Sequence, residues 1–75
     1  MDYMKRIIVD PKIMVGKPVI KGTRISIEII LNKISAGKSR ENIQDELDIE
    51  KEDISAALKY AEKVIANEDI FEVIN

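Results

Sequence analysis

Seventy-five residues, 45% of them apolar and none of them cysteine or histidine, describe one small domain (1–75) with no disulfide and no Cys/His zinc site. Twelve basic against 14 acidic side chains leave a net charge of −2, and no segment approaches the roughly 18 consecutive apolar residues of a membrane helix. A core this small is marginal alone, and isoleucine abounds, so a homodimer in the cytoplasm is the default expectation.

The first 25 residues read as a β extension. Arg6–Val9 is expected as a short strand that ends at Asp10-Pro11, where proline removes a ladder donor and favours a turn. Lys12–Val15 reads as a second extended piece leading to Gly16. Val19-Ile20 and Thr23–Ile25 flank Lys21-Gly22, a connection of hairpin length in which Gly22 supplies a positive φ. If the N-terminal strands were exchanged between two subunits, their open edges would be satisfied.

Residues 26–66 read as a trihelical core. Ser26 is placed as N-cap of a first helix, Glu28 suits its first turn, and Ile27, Ile30, Leu31 and Ile34 form one apolar stripe. Gly37 is suited to the left-handed residue that ends it. Ser39 caps a short second helix marked by Ile43 and Leu47. After Asp48-Ile49-Glu50, with Asp48 or Glu50 as cap, a third helix lines up Ile54, Ala57, Leu58, Ala61, Val64 and Ile65. Ala57 and Ala61, four apart, would admit another helix closely. The tail, 67–75, either prolongs this helix or packs separately. Three helices, the last two joined by a short turn, make a helix-turn-helix arrangement.

Charge is unevenly placed. Residues 1–24 hold Lys5, Arg6, Lys12, Lys17, Lys21 and Arg24 against Asp2 and Asp10, a local +4, while residues 25–75 carry −6. A basic arm of this kind suits an anionic partner, either nucleic acid or an acidic pocket on a protein.

Catalysis finds little support. There is no histidine to move protons near neutral pH and no cysteine nucleophile. Asp45-Glu46 and Glu52-Asp53 are sequence neighbours that diverge around a helix, so they read as solvated faces rather than a shared acid–base or metal site. Gly16-Lys17-Pro18 lacks the glycine spacing of a phosphate loop. No cofactor and no small-molecule substrate are expected.

Binding is the better-supported class. In a helix-turn-helix the start of the last helix approaches base edges, yet here it reads Glu50-Lys51-Glu52-Asp53, which phosphates would repel. Contact with double-stranded DNA would therefore fall to Lys17, Lys21 and Arg24, with Lys59 and Lys63 further along. The plainer reading has Arg24 paired with a helix carboxylate and Lys21 serving only the turn. Protein binding is suggested by apolar residues at both ends, Tyr3 to Val15 and Ile70 to Ile74.

The run Gly16-Lys17-Pro18-Val19-Ile20-Lys21-Gly22-Thr23-Arg24-Ile25 resembles the signature of the domain-of-unknown-function family 433. Asp10-Pro11 before it, Gly37-Lys38-Ser39 after it, and Glu52-Asp53-Ile54-Ser55-Ala56-Ala57-Leu58-Lys59-Tyr60-Ala61 complete the ordered likeness over about residues 6–65. The resemblance implies a homeodomain-like three-helix core with an N-terminal β extension, commonly dimeric. It also implies an antitoxin role beside a PIN-like toxin nuclease, and it carries over no catalytic residue. Where relatives often end the second helix on an aromatic-proline pair, this chain has Leu47-Asp48 and a turn about one residue shorter. The leading expectation is a non-enzymatic, dimeric antitoxin-like protein; a stand-alone DNA-binding regulator and an interaction adaptor are the alternatives.

Overall fold

Three helices and a two-stranded antiparallel sheet make up the computed structural model, which describes residues 3–68. A 3-10 turn at Tyr3–Lys5 leads into β1 (Ile7–Ile8). A second 3-10 turn at Met14–Gly16 precedes β2 (Val19–Ile20), and then come α1 (Ile27–Ser35), α2 (Arg40–Leu47) and α3 (Lys51–Glu68). The chain is mainly helical with a short β extension, as expected.

The caps explain where the helices begin and end. Ser26 is extended at φ −77, ψ 152, and its hydroxyl accepts the Ile29 N–H at 3.1 Å, satisfying one of the orphan donors of the first turn. Ser39 does the same for Asn42 at 3.1 Å in α2. At the end of α1, Gly37 takes φ 88 while its N–H reaches the Ile34 carbonyl and that of Lys38 reaches Lys33. Those two bonds are the Schellman pattern. α2 closes in a related way without glycine: Asp48 is left-handed at φ 55, and the Ile49 N–H returns to Gln44. Neither Asp48 nor the Glu50 carboxylate caps α3. Instead Asp53 accepts the Glu50 N–H at 3.0 Å, the returning half of a capping box.

The apolar stripes meet in one core of Ile20, Ile27, Ile30, Ile43, Ile54 and Ala57, with Ile25, Leu31, Ile34, Leu47 and Leu58 packed around it. β2 lies within this core, since Val19 and Ile20 are both buried.

Two expectations for the β extension need correction. The regular pairing is not a hairpin across Lys21-Gly22 but β1 with β2, Ile7 opposite Ile20 and Ile8 opposite Val19, within one chain. The Val19–Ser26 side keeps a single antiparallel bridge, because Ser26 is already committed to starting α1. Nor is Lys12–Val15 one extended piece: Ile13 is extended at φ −117, ψ 119, but Met14 and Val15 are not. The ten residues between β1 and β2 must reverse direction, and they do so by placing Met14 (φ 49), Val15 (φ 58) and Gly16 (φ 82) in the left-handed region. For a non-glycine residue such a conformation costs on the order of 1–3 kcal/mol, and for a branched valine it is an outlier.

Along α3 the expected face is buried only in its first half. Ile54 and Ala57 are fully covered, whereas Ile65 is 59% exposed. The helix continues through Asn67 to Glu68; the rest of the tail, with Ile70, Phe71, Val73 and Ile74, lies outside the described residues.

One acidic pair member braces the α1–α2 junction. Glu46 is held by the Lys33 ammonium and by Lys38 at 3.3 Å. These hydrogen bonds, that of Lys33 first, lower its pKa below the ordinary glutamate value. A depressed carboxylate pKa stabilises the fold above the unfolded value and loses that contribution as pH falls through the folded one. The melting temperature of Glu46→Gln is therefore expected to fall less than that of the wild type between about pH 6 and about pH 3. Equal slopes in thermal melts would contradict this role, which the exposure of Glu46 and Lys38 keeps small.

Candidate partner-binding surface

The turn between β2 and α1 is tied down on every side. The Ile20 N–H donates to the Ile25 carbonyl at 2.9 Å and the Thr23 N–H to Ile20 at 3.0 Å. The Thr23 hydroxyl also donates to the Ile20 carbonyl at 2.7 Å and accepts the Ile25 N–H at 3.0 Å. Gly22, at φ 83, occupies the third position of the turn, which side chains rarely tolerate. The flanking residues Val19, Ile20, Ser26 and Ile27 are buried, so the turn is anchored in the core. Lys21 and Arg24, both exposed, project from this fixed frame.

A second anchor reaches the turn from the opposite end of the sequence. The Lys21 N–H donates to the Arg6 carbonyl at 2.8 Å. The Arg6 side chain in turn bridges Asp53 at 3.0 Å and Glu50 at 3.1 Å at the start of α3. Asp53 is only 7% exposed, which makes its pairing the more consequential of the two. The bond to Asp53, and then that to Glu50, raises the Arg6 pKa above its already high ordinary value. The cleft between the turn and α3 is thus lined by Lys5, Arg6 and Lys21 on one side and Asp48, Glu50 and Asp53 on the other.

The five sequence candidates do not converge on one patch. No described carboxylate lies within 4.0 Å of Lys21 or Arg24, so Arg24 has no helix partner there and remains available with Lys21. Lys17 turns instead to Glu28 of α1 at 2.9 Å, and Lys59 pairs with Glu62 at 3.1 Å. Lys63 is exposed, one helical turn from Lys59 on the same side of α3.

Sequence reasoning missed the Arg6–Glu50–Asp53 triad. In sequence the Glu52-Asp53 pair reads as a solvated face, yet Asp53 is buried and paired. The spacing Glu50-x-x-Asp53 carried a capping signal; the contact with Arg6, 47 residues away, carried none.

A separate groove runs between α1 and the second half of α3. Pro18, Ile27, Leu31, Tyr60, Ala61, Val64 and Ile65 line it, with Lys17 and Glu28 at its rim. Lys17 and Glu28 also border a neighbouring hollow that holds Met14 and Ile29.

The family described as "Protein of unknown function (DUF433)" matches residues 7–61, a span that holds both strands, the basic turn and the buried half of α3. An uncharacterized protein of Archaeoglobus fulgidus is 68% identical over 25 residues, which are 33% of this chain and 69% of that protein. No solved structure matches the chain. No described helix is long and apolar enough to cross a membrane.

Proposed function

The chain belongs to the DUF433 family, and on that premise we propose that it is a non-enzymatic, antitoxin-like protein whose Lys21–Arg24 turn engages the acidic centre of a PIN-like toxin nuclease. The observation that carries this reading is a rigid turn presenting two exposed cations that no described carboxylate neutralises. A surface already fixed in shape loses little conformational freedom on binding, and its charges attract an acidic partner over distance. An acidic metal-binding pocket is the complement of such a turn.

Operator DNA is the second reading, favoured by the same unpaired cations. Direct base readout by the start of α3 is disfavoured, because Glu50 and Asp53 lie there and are engaged by Arg6.

The test is co-expression with a neighbouring nuclease gene, followed by affinity measurement. The wild type is expected to relieve toxicity and co-purify. Lys21→Glu combined with Arg24→Glu is expected to weaken binding by about 100-fold or more, with the helical signal retained at the assay temperature. No association of the wild type, or equally tight association of the double variant, would sink the antitoxin reading. Promoter binding that declines steeply with salt and is lost in the same variant would favour the regulator.

A further inference from the structure

We propose that residues 69–75 of the chain fold back onto the groove between α1 and α3 of the same molecule, with Phe71 as the anchor. Pro18, Leu31, Tyr60, Ala61, Val64 and Ile65 line this groove. Ala61 keeps it open, because a methyl group stands where a larger side chain would close the gap between the helices. Leu31 and Val64 are only half-buried and Ile65 is exposed, so the domain leaves apolar surface uncovered at this end. The Ser26 hydroxyl, which also lines the groove, already accepts the Ile29 N–H. Lys17 and Glu28 at the rim are paired with each other at 2.9 Å. The groove therefore offers an occupant apolar contact and little else.

The sequence beyond α3 supplies that occupant. Asp69-Ile70-Phe71-Glu72-Val73-Ile74-Asn75 holds four large apolar side chains in seven positions. Carried on as a straight helix at about 100° per residue, Ile70, Val73 and Ile74 would fall on the side opposite Ala61, Val64 and Ile65. They would then face water, whereas a return toward the groove buries them. Reach is sufficient. α3 ends at Glu68, and Ala61 lies about 10 Å back along its axis. Residues 69–75, extended, span up to about 23 Å, enough for a reversal and a run along the groove. Tethering decides between occupants. A segment attached this closely meets the groove at an effective concentration on the order of millimolar, which an unattached apolar partner must overcome. Lys21 and Arg24 line other clefts, so docking of this segment stands or falls independently of the proposed toxin contact.

Nuclear Overhauser spectroscopy on the full chain tests this. Phe71 is the only phenylalanine, so its ring protons are unambiguous. They are expected to contact the methyl groups of Leu31 and Val64. In a mixture of isotope-labelled and unlabelled chains, filtered spectra are expected to show these contacts within one molecule and none between molecules. Ala61→Leu fills the groove from inside, so the contacts of Phe71 with Leu31 should disappear while the helical signal is kept. Phe71→Asp leaves every described residue in place, and amide exchange at Val64 and Ile65 should accelerate about tenfold. A Phe71 ring without contacts to Leu31 and Val64 overturns the proposal, as do contacts found only between molecules or contacts that persist in Ala61→Leu. Exchange at Val64 and Ile65 that Phe71→Asp leaves unchanged overturns it as well.

Discussion

Replacing Ile30 by alanine is expected to remove about 3 kcal/mol of folding stability, within the usual 2–5 kcal/mol for a fully buried isoleucine. Ile30 is completely covered at the centre of the cluster formed by Ile20, Ile27, Ile43, Ile54 and Ala57. Three helices and β2 converge there, so no single element can move inward to fill the space. A domain of this length holds roughly 4–11 kcal/mol in all, which makes the loss a large fraction of the total. Urea unfolding should show a lower midpoint with an unchanged slope. Val9→Ala, at a position 55% exposed, serves as the comparison and is expected to change stability by under about 0.5 kcal/mol. A midpoint for Ile30→Ala close to that of Val9→Ala would mean that the core is not centred where these contacts put it.

Asp53→Ala is expected to have the second largest effect on folding stability, and a more informative one. It removes the acceptor for the Glu50 N–H and the better-buried partner of Arg6, which together should cost about 1–2 kcal/mol. The consequence extends to the basic turn, because the Arg6 carbonyl holds the Lys21 N–H. Hydrogen exchange at the Lys21 amide should accelerate more than exchange in α1. Partner affinity should fall although every cation of the turn is retained. Asp53→Asn, which keeps a cap acceptor but not the charge, should lie between the two. An unchanged Lys21 amide in Asp53→Ala would show that the link from α3 to the turn carries no energy.

These effects indicate how far the sequence alone could be read. The helices were legible because their signals are local: Ser26 and Ser39 as caps, Gly37 as a left-handed stop, Ile27 and Ile30 one turn apart. The family signature was legible for a similar reason, as a short ordered run around Lys21-Gly22. The reversal at Met14-Val15-Gly16 was not, since neither methionine nor valine favours a positive φ and only the closure of β1 on β2 enforces it. In sequence Arg6 is one more charge of a basic arm, because its partners lie 44 and 47 residues away. Of the candidate recognition residues, Lys17 groups with Lys21 and Arg24 by sequence proximity, whereas its side chain pairs with Glu28 of α1.

The span between Arg6 and Asp53 also sets an order of events. The helices pack on one another within residues 27–68, whereas docking the N-terminal segment onto α3 closes a loop that encloses nearly the whole core. Such closure is entropically late in folding and correspondingly early in opening. The clasp that Arg6 and β1 make on the start of α3 is accordingly expected to open before the helical core does. Because the clasp supports the basic turn, recognition is expected to fail at a lower denaturant concentration than the helical signal. In the cell, the lifetime of the binding-competent form would then be governed by the clasp, not by the melting of the domain.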